Sequence, residues 1–254
     1  MHKKMEAILS RVQKPARYVG GEWGSVMKNK TEVDLRFAFC FPDTYEVGMS
    51  HLGSRILYGL LNDQNGIWCE RVFAPWIDME EEMRKADIPL YGLESGDPLS
   101  DFDIIAFTLQ YELSFPNILN MLDLGGIPVL ARERTDLKHI VACGGPCAYN
   151  PEPLCDFVDL FMIGDGEEIM LEFTDLYRRA KREGWSKQKF LIQAAQIEGM
   201  YVPSLYEVSY REDGTIDRVT PTNGAPALVQ KRIVKDLDTM YYPESFVVPS
   251  TDIV

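Results

Sequence analysis

Five strand-like segments, alternating with segments of helical spacing, constrain this chain more than anything else in it. Residues 103–108 (DIIAFT) and 158–163 (VDLFMI) are near-continuous apolar stretches, the pattern of strands covered on both faces. Residues 34–40, 69–73 and 138–143 complete the set. The spacing between them predicts helices at about 50–62, 77–86, 115–124 and 151–156. A longer helix is expected over 167–183, continued by 187–197. Strands alternating with helices imply parallel pairing with right-handed crossovers. The expected fold class is α/β: a flavodoxin-like (Rossmann-like), doubly wound, five-stranded parallel sheet of order 2-1-3-4-5.

The flanks read differently. Residues 3–13 fit a short amphipathic helix with Met5, Ile8, Leu9 and Val12 on one stripe, ended by Lys14-Pro15. Residues 16–29 hold Gly20, Gly21 and Gly24 around Trp23 and read as an ordered loop. The alternation stops near residue 198. Residues 205–220 then read as a β-hairpin turning at Asp213-Gly214. Residues 221–254 carry Pro221, Pro226, Pro243 and Pro249 and read as a connector. This gives three regions: 1–32, 33–198 and 199–254. The sequence closes at Ser250–Val254 without a terminal helix or polar tail, so a piece of a longer protein is expected.

Charge narrows the partners. The 254 residues hold 26 Lys and Arg against 39 Asp and Glu, a net charge of −13. Nucleic-acid affinity rests on clustered cations, so no direct nucleic-acid binding is expected. No run approaches the ~18 apolar residues of a membrane span, and the N-terminus lacks a signal-peptide core. A cytoplasmic, membrane-free setting is the expectation. Cys40, Cys69, Cys143, Cys147 and Cys155 are odd in number and irregularly spaced, unlike a disulfide framework.

A doubly wound sheet binds ligands beyond the carboxyl ends of its strands, at the switch point between strands 1 and 3. The candidate binding residues fall there. Asp43, Thr44, Tyr45 and Gly48 follow the first strand, and Thr108, Leu109 and Gln110 the third. Gly144 and Gly145 follow the fourth, and Gly164-Asp165-Gly166 the fifth. Glycine serves where backbone meets a ligand or takes positive φ. Glycines that merely turn the chain are the plainer alternative.

Asp43-x-Tyr45-x-x-Gly48 resembles the Asp-x-His-x-x-Gly loop of cobalamin-binding domains, with tyrosine in the histidine's place. Gly144-Gly145-Pro146…Pro151-Glu152 and Val158-Asp159…Gly164-Asp165-Gly166-Glu167 are similar to segments of the cobalamin-binding domains that precede the core of many radical S-adenosylmethionine (SAM) enzymes. Lys14–Glu22 resembles the start of an uncharacterised subgroup of them. The resemblance covers residues 33–195. It implies an N-terminal accessory domain whose Asp43–Gly48 loop lies beside a corrin and whose Gly144 and Gly145 let the nucleotide tail pass. Thr108-Leu109-Gln110 falls where that group has Ser-x-Leu. Neutral imidazole ligates cobalt well; a phenol of pKa about 10 does not at neutral pH. Cobalamin here would have no histidine ligand from this loop.

The cluster motif of radical SAM enzymes, Cys-x3-Cys-x2-Cys, holds three irons of a 4Fe–4S cluster. Cys143 and Cys147 have the first spacing, but Asn150 stands where the third cysteine would be. The resemblance therefore puts cluster and S-adenosylmethionine in a downstream radical SAM domain, the expected partner, acting on an unknown substrate. No metal site and no catalytic residue is expected within these residues, and the chain alone should be inactive. His51 fits the first turn of a helix capped by Ser50, and also stands within reach of a ligand; His139 opens the fourth strand and His2 is terminal.

Two other readings stay open. In one, the domain keeps the fold but binds nothing, its pocket filled by Tyr45, Tyr111 and Trp76, and it covers a radical core or docks a partner. In the other, the switch point holds FMN, although Pro42–Gly48 offers Thr44 alone for a flavin phosphate. No P-loop or nucleophile elbow is present.

Overall fold

The computed structural model describes residues 3–248; the readings placed on His2 and on residues 249–254 lie outside the described residues. The expected alternation is realised. Strands β1 (Leu35–Phe41), β2 (Ile67–Phe73), β3 (Ile104–Thr108), β4 (Ile140–Gly144) and β5 (Leu160–Met162) pair in parallel in the order 2-1-3-4-5. The strand count is corrected from five to six. Strand β6 (Met200–Tyr201) adds antiparallel to β5, with Phe161 opposite Tyr201 and Met162 opposite Met200. Two residues are too few to show a period, so this strand leaves no sequence pattern.

The sheet is covered on both faces. Helices α3 (Leu52–Asn62), α6 (Gly166–Glu183) and α7 (Lys187–Ala194) pack over Leu35, Phe37, Phe39, Ala106, Ala142 and Met162. Helices α1 (Lys3–Leu9), α4 (Ile77–Ala86) and α5 (Phe115–Leu124) pack over the alternate residues Ala38, Cys40, Ile105, Phe107 and Val141. The two-residue period of a strand sends these sets to opposite faces. Both flanks join these cores: Met5 and Ile8 are buried with α4, and Leu205 and Val247 with α3 and α6.

Two helical expectations change. The predicted 50–62 helix is two helices, α2 (Tyr45–Ser50) and α3, separated by His51 at φ −79°, ψ 114°. His51 leaves the helical region because its own ring caps α3, accepting from the Ser54 amide at 3.1 Å. Ser50 therefore caps nothing; its hydroxyl donates back to the Val47 carbonyl. The predicted 151–156 helix is one 3-10 turn, Glu152–Leu154. Its bonds run from the Leu154 amide to Pro151 and from the Cys155 amide to Glu152, and so short a run does not sustain a helix by itself. Strands β7 (Tyr206–Tyr210) and β8 (Ile216–Pro221) form the expected hairpin, a separate two-stranded sheet.

Candidate functional site

A slot of about 280 Å³ opens at the carboxyl end of the sheet. Its floor is one residue from each of four strands: Phe39, Ala106, Ala142 and Met162. Two of the four are alanines, and this shallow centre leaves room between the sheet and the helices. One wall is the start of α3, with His51, Ser54 and Leu57; the other is the start of α6, with Gly166, Glu167 and Met170. Thr108, Gln110, Gly144, Gly145, Gly164 and Asp165 form the rim.

The rim glycines have distinct causes. Gly145 sits at φ 99°, ψ 179°, a region essentially confined to glycine. A Cβ there would stand 2.8 Å from the Leu109 carbonyl oxygen and 3.1 Å from Thr108 Oγ1. The contact is fixed because the Leu109 amide donates to Gly144 at 2.7 Å and the Cys147 amide to Leu109 at 3.1 Å. Gly164, at φ 111°, lies against the Arg232 backbone. There the connector joins the sheet end, with the Arg232 amide donating to Ile163 at 2.8 Å and the Asp165 amide to Arg232 at 3.0 Å. Gly164 is thus required by packing against the chain itself.

The slot's polar groups are mainly neutral on one side and acidic on the other. An amide N–H can only donate, so His51 Nδ1 must accept the Ser54 amide, and in the neutral ring the proton sits on Nε2. Burial lowers the His51 pKa against a hydrogen bond with Gln110, which keeps the ring neutral. Gln110 Nε2 also donates to Thr108 Oγ1 at 2.6 Å. This side offers hydrogen bonds; neutral His51 offers a donor, not a metal-binding lone pair. Opposite stand Asp165, whose carboxylate accepts the Val234 amide at 2.8 Å, and Glu167. Their charge suits the start of α6 and opposes a phosphate at that spot.

The loop after β1 takes another role. The Tyr45 hydroxyl donates to Glu22 at 2.9 Å, and its ring meets Phe73 edge-on at 5.4 Å. Glu22 in turn holds Arg71 through both oxygens, at 2.9 and 2.7 Å, and Arg71 also holds the buried Glu94. Tyr45 is thus turned inward. Gly48 is packed under Phe73 and Phe41, where a Cβ does not fit. Asp43 accepts the Thr44 amide on one oxygen and the Tyr111 hydroxyl on the other.

Of the residues predicted from sequence, Thr108, Gly144, Gly145, Gly164 and Gly166 come together in the slot. Asp43, Thr44, Tyr45 and Gly48 do not line it. Leu109 backs the rim through its main chain, with its side chain fully buried. Tyr45, Tyr111 and Trp76 do not fill the slot either; Trp76 is 46% exposed and Tyr111 38%. Gln110 and Asp165, which the sequence also placed at these strand ends, line the slot too; Ser54 and Met170 are slot residues that sequence reasoning did not single out. For Ser54 the signal was present in its three-residue spacing from His51, the spacing of a cap.

A crown of exposed apolar side chains surrounds this end. Val47 and Leu52 follow β1, Trp76 and Ile77 follow β2, Leu113 follows β3 and Tyr149 follows β4; Ile77 is 66% exposed and Leu113 86%.

A wider cavity of about 570 Å³ lies around Arg134, Asp159 and Lys187, near the hairpin. Its buried charges already satisfy each other: Asp159 meets Arg134 at 3.1 Å and Lys187 at 2.7 Å. The smaller slot, whose polar groups are less fully engaged, is therefore the candidate site. Cys143 is buried in β4, Cys147 is half-buried, and burial with nearby Glu152 pushes the Cys155 thiol up to about 12. Among the described residues no group of three or more His, Cys, Asp or Glu side chains could hold a metal ion, and no helix is long and apolar enough to cross a membrane.

The chain is 27% identical over 139 residues to an uncharacterized protein of Methanocaldococcus jannaschii, an alignment covering 53% of this chain and 25% of that one. The matched part is thus about a quarter of that relative's length. No solved structure matches. Residues 53–203, from the start of α3 to just past β6, match the family described as radical SAM proteins, N-terminal. The chain belongs to the radical SAM proteins and carries their N-terminal region.

Proposed function

We propose that this chain is the accessory domain of a cobalamin-dependent type of radical SAM enzyme, and that its slot takes the nucleotide tail of a corrinoid. The single observation that carries this reading is the glycine-walled slot at the switch point. Gly144 and Gly145 close it without side chains, and the Gly145 position excludes a Cβ. Thr108, Gln110 and His51 would meet polar atoms of the tail, and the alanine floor would take its flat base. The corrin itself would lie above, against the Asp43–Gly48 loop. When bound, cobalamin would supply a carrier for a methyl group or assist a radical step. Tyr45, held by Glu22, gives that loop no cobalt ligand.

The 4Fe–4S cluster, S-adenosylmethionine and substrate would belong to a downstream radical SAM domain. The exposed crown of Trp76, Ile77, Leu113 and Tyr149 supports contact with that domain across the slot's mouth. The same crown favours a second reading, in which the domain covers the radical core without binding a corrinoid. The chain alone should show no turnover. Titration with hydroxocobalamin, followed by desalting and visible spectroscopy, separates the two. Retained corrinoid in the wild type, lost in a Gly144→Val protein that keeps its fold, supports the first reading, because a side chain at Gly144 enters the slot without a clash with the chain itself. A colourless wild type leaves the covering role.

A further inference from the structure

Arg55 is the exception among the deep arginines. Arg36 pairs with Glu70 and Asp97, Arg71 with Glu22 and Glu94, and Arg134 with Asp159. Arg55 makes no side-chain hydrogen bond or ion pair among the described residues. Its Nε and Nη1 are both buried and without an acceptor. This happens in a chain with a surplus of carboxylates, 39 against 26 cations. The guanidinium is held in place: its carbon stacks 4.0 Å from the centre of the Phe246 ring. Stacking satisfies the face of the group and leaves its N–H edge unserved. The residue as a whole is partly exposed, but two of its three guanidinium-group nitrogens are buried without a counter-charge, which is costly.

Arg55 lies at a cavity of about 200 Å³ between α3 and the segment 241–247 that passes over it. Tyr241 and Ser245 bring hydroxyl groups to the same cavity. The acidic side chain that shares it, Asp63, is exposed to solvent and makes no ion pair with Arg55. The cavity thus has a fixed cation, hydroxyl donors, and room for a small solute. We infer that it is an oxyanion site, in which Arg55 receives a phosphate or carboxylate group beneath the Phe246 segment. It is separate from the slot, whose α3 residues are Gly53, Ser54 and Leu57. The two sites lie on different sides of one helix. An anion bound here would pin residues 241–247 onto α3 through both partners.

The test is calorimetric titration of the whole chain, in anion-poor buffer, with inorganic phosphate and separately with acetate. Wild type, Arg55→Met and Arg55→Lys are compared. The expected result is saturable binding of at least one anion by the wild type, at least tenfold weaker in Arg55→Met and partly kept in Arg55→Lys. Thermal melts provide a second reading that does not require binding heat. Without anion, Arg55→Met should melt at or above the wild type, because it removes an unpaired buried charge. With anion, the order should reverse. A response to phosphate alone assigns a tetrahedral group, and one to acetate alone a carboxylate; both support the site. No saturable response in the wild type, or an equal response in Arg55→Met, overturns it. Neither measurement involves a corrinoid, so the outcome is independent of what the slot binds.

Discussion

The Tyr111 hydroxyl donates to the Asp43 carboxylate, and so ties the loop after β3 to the loop after β1 across the switch point of the sheet. A second tie supports it: Asn117 at the start of α5 donates to the Pro42 carbonyl at 2.9 Å. The bond with Asp43 raises the Tyr111 pKa, so the phenol stays protonated and remains the donor. Asp43 is therefore already engaged, and a ligand that uses this carboxylate must displace Tyr111. Tyr111→Phe should cost about 1 kcal/mol or less, the usual net value of one hydrogen bond at a partly exposed site. It should speed amide exchange across residues 43–48. Unchanged exchange there would show that the clasp does not hold the loop.

Gly145→Ala should be among the most damaging single-methyl additions to the chain. The backbone conformation at φ 99°, ψ 179° costs a non-glycine residue of order 1–3 kcal/mol. The new Cβ also meets the Leu109 carbonyl oxygen at 2.8 Å, an oxygen held by the Cys147 amide. Gly144→Ala is the control, since its Cβ would meet only Met162, at an ordinary 3.7 Å. Denaturant unfolding should show a loss of about 2–4 kcal/mol for the first, combining the strain with an overpacking term, and under about 1 kcal/mol for the second, as for a mild surface change. Equal losses would mean that the glycine pair only turns the chain.

Replacing Tyr45 by histidine should not create a cobalt ligand. The tyrosine side chain runs inward to Glu22 and Phe73, and a shorter imidazole on the same path meets Glu22 and Arg71 first. In a corrinoid-loaded Tyr45→His protein, the paramagnetic resonance spectrum of the Co(II) form should show no coupling to a protein nitrogen. Tyr45→Phe should lose about 1.5–3 kcal/mol, the value of one hydrogen bond to a charged acceptor. A nitrogen-coupled spectrum would mean that the loop rearranges on binding.

The sheet was legible because its signal is redundant. Its five parallel strands alternate with segments of helical spacing, and two of the helices, at 77–86 and 115–124, fall on their predicted residues; the two-residue β6 left no such signal. The site was legible only in part, and the division has a cause. Gly144, Gly145, Gly164 and Gly166 announce themselves because glycines cluster where the chain turns at a strand end, though only Gly145 and Gly164 take the positive φ that glycine allows. The fate of Tyr45 depends on Glu22, 23 residues earlier in a loop without periodicity. The role of Gly164 depends on Arg232, 68 residues later. Partners that distant leave no local pattern, so sequence placed Tyr45 at a ligand while the fold turned it into an ion-pair network. His51 lies between these cases. Its cap spacing to Ser54 is local, but its place in the slot wall follows only from the break between α2 and α3.

Acidification should weaken this protein in two steps. His51 has a folded pKa below its ordinary 6.5 because burial disfavours the imidazolium. Below that value the unfolded chain binds the proton more readily, so stability falls as pH drops through about 6.5 and below. Glu22 supplies the second step. Burial pushes its carboxyl up, but the Arg71 bonds outweigh burial and hold it below its ordinary 4.5. Its contribution is therefore complete above the unfolded value near 4.5 and lost as pH falls through the folded one. Glu94, raised by burial beside the same arginine, works in the opposite sense and blunts this lower step. His51→Asn keeps a capping oxygen for the Ser54 amide and removes the titration. Its stability should be flat from pH 7.5 to 5.5, where the wild type declines. Glu22→Gln should keep the upper step, lose part of the lower one, and start from a lower plateau, because Arg71 then has Glu94 alone. Denaturant midpoints measured from pH 4 to 8 on the three proteins decide it. An unaltered upper step in His51→Asn would show that His51 is protonated as easily in the folded chain as in the unfolded one.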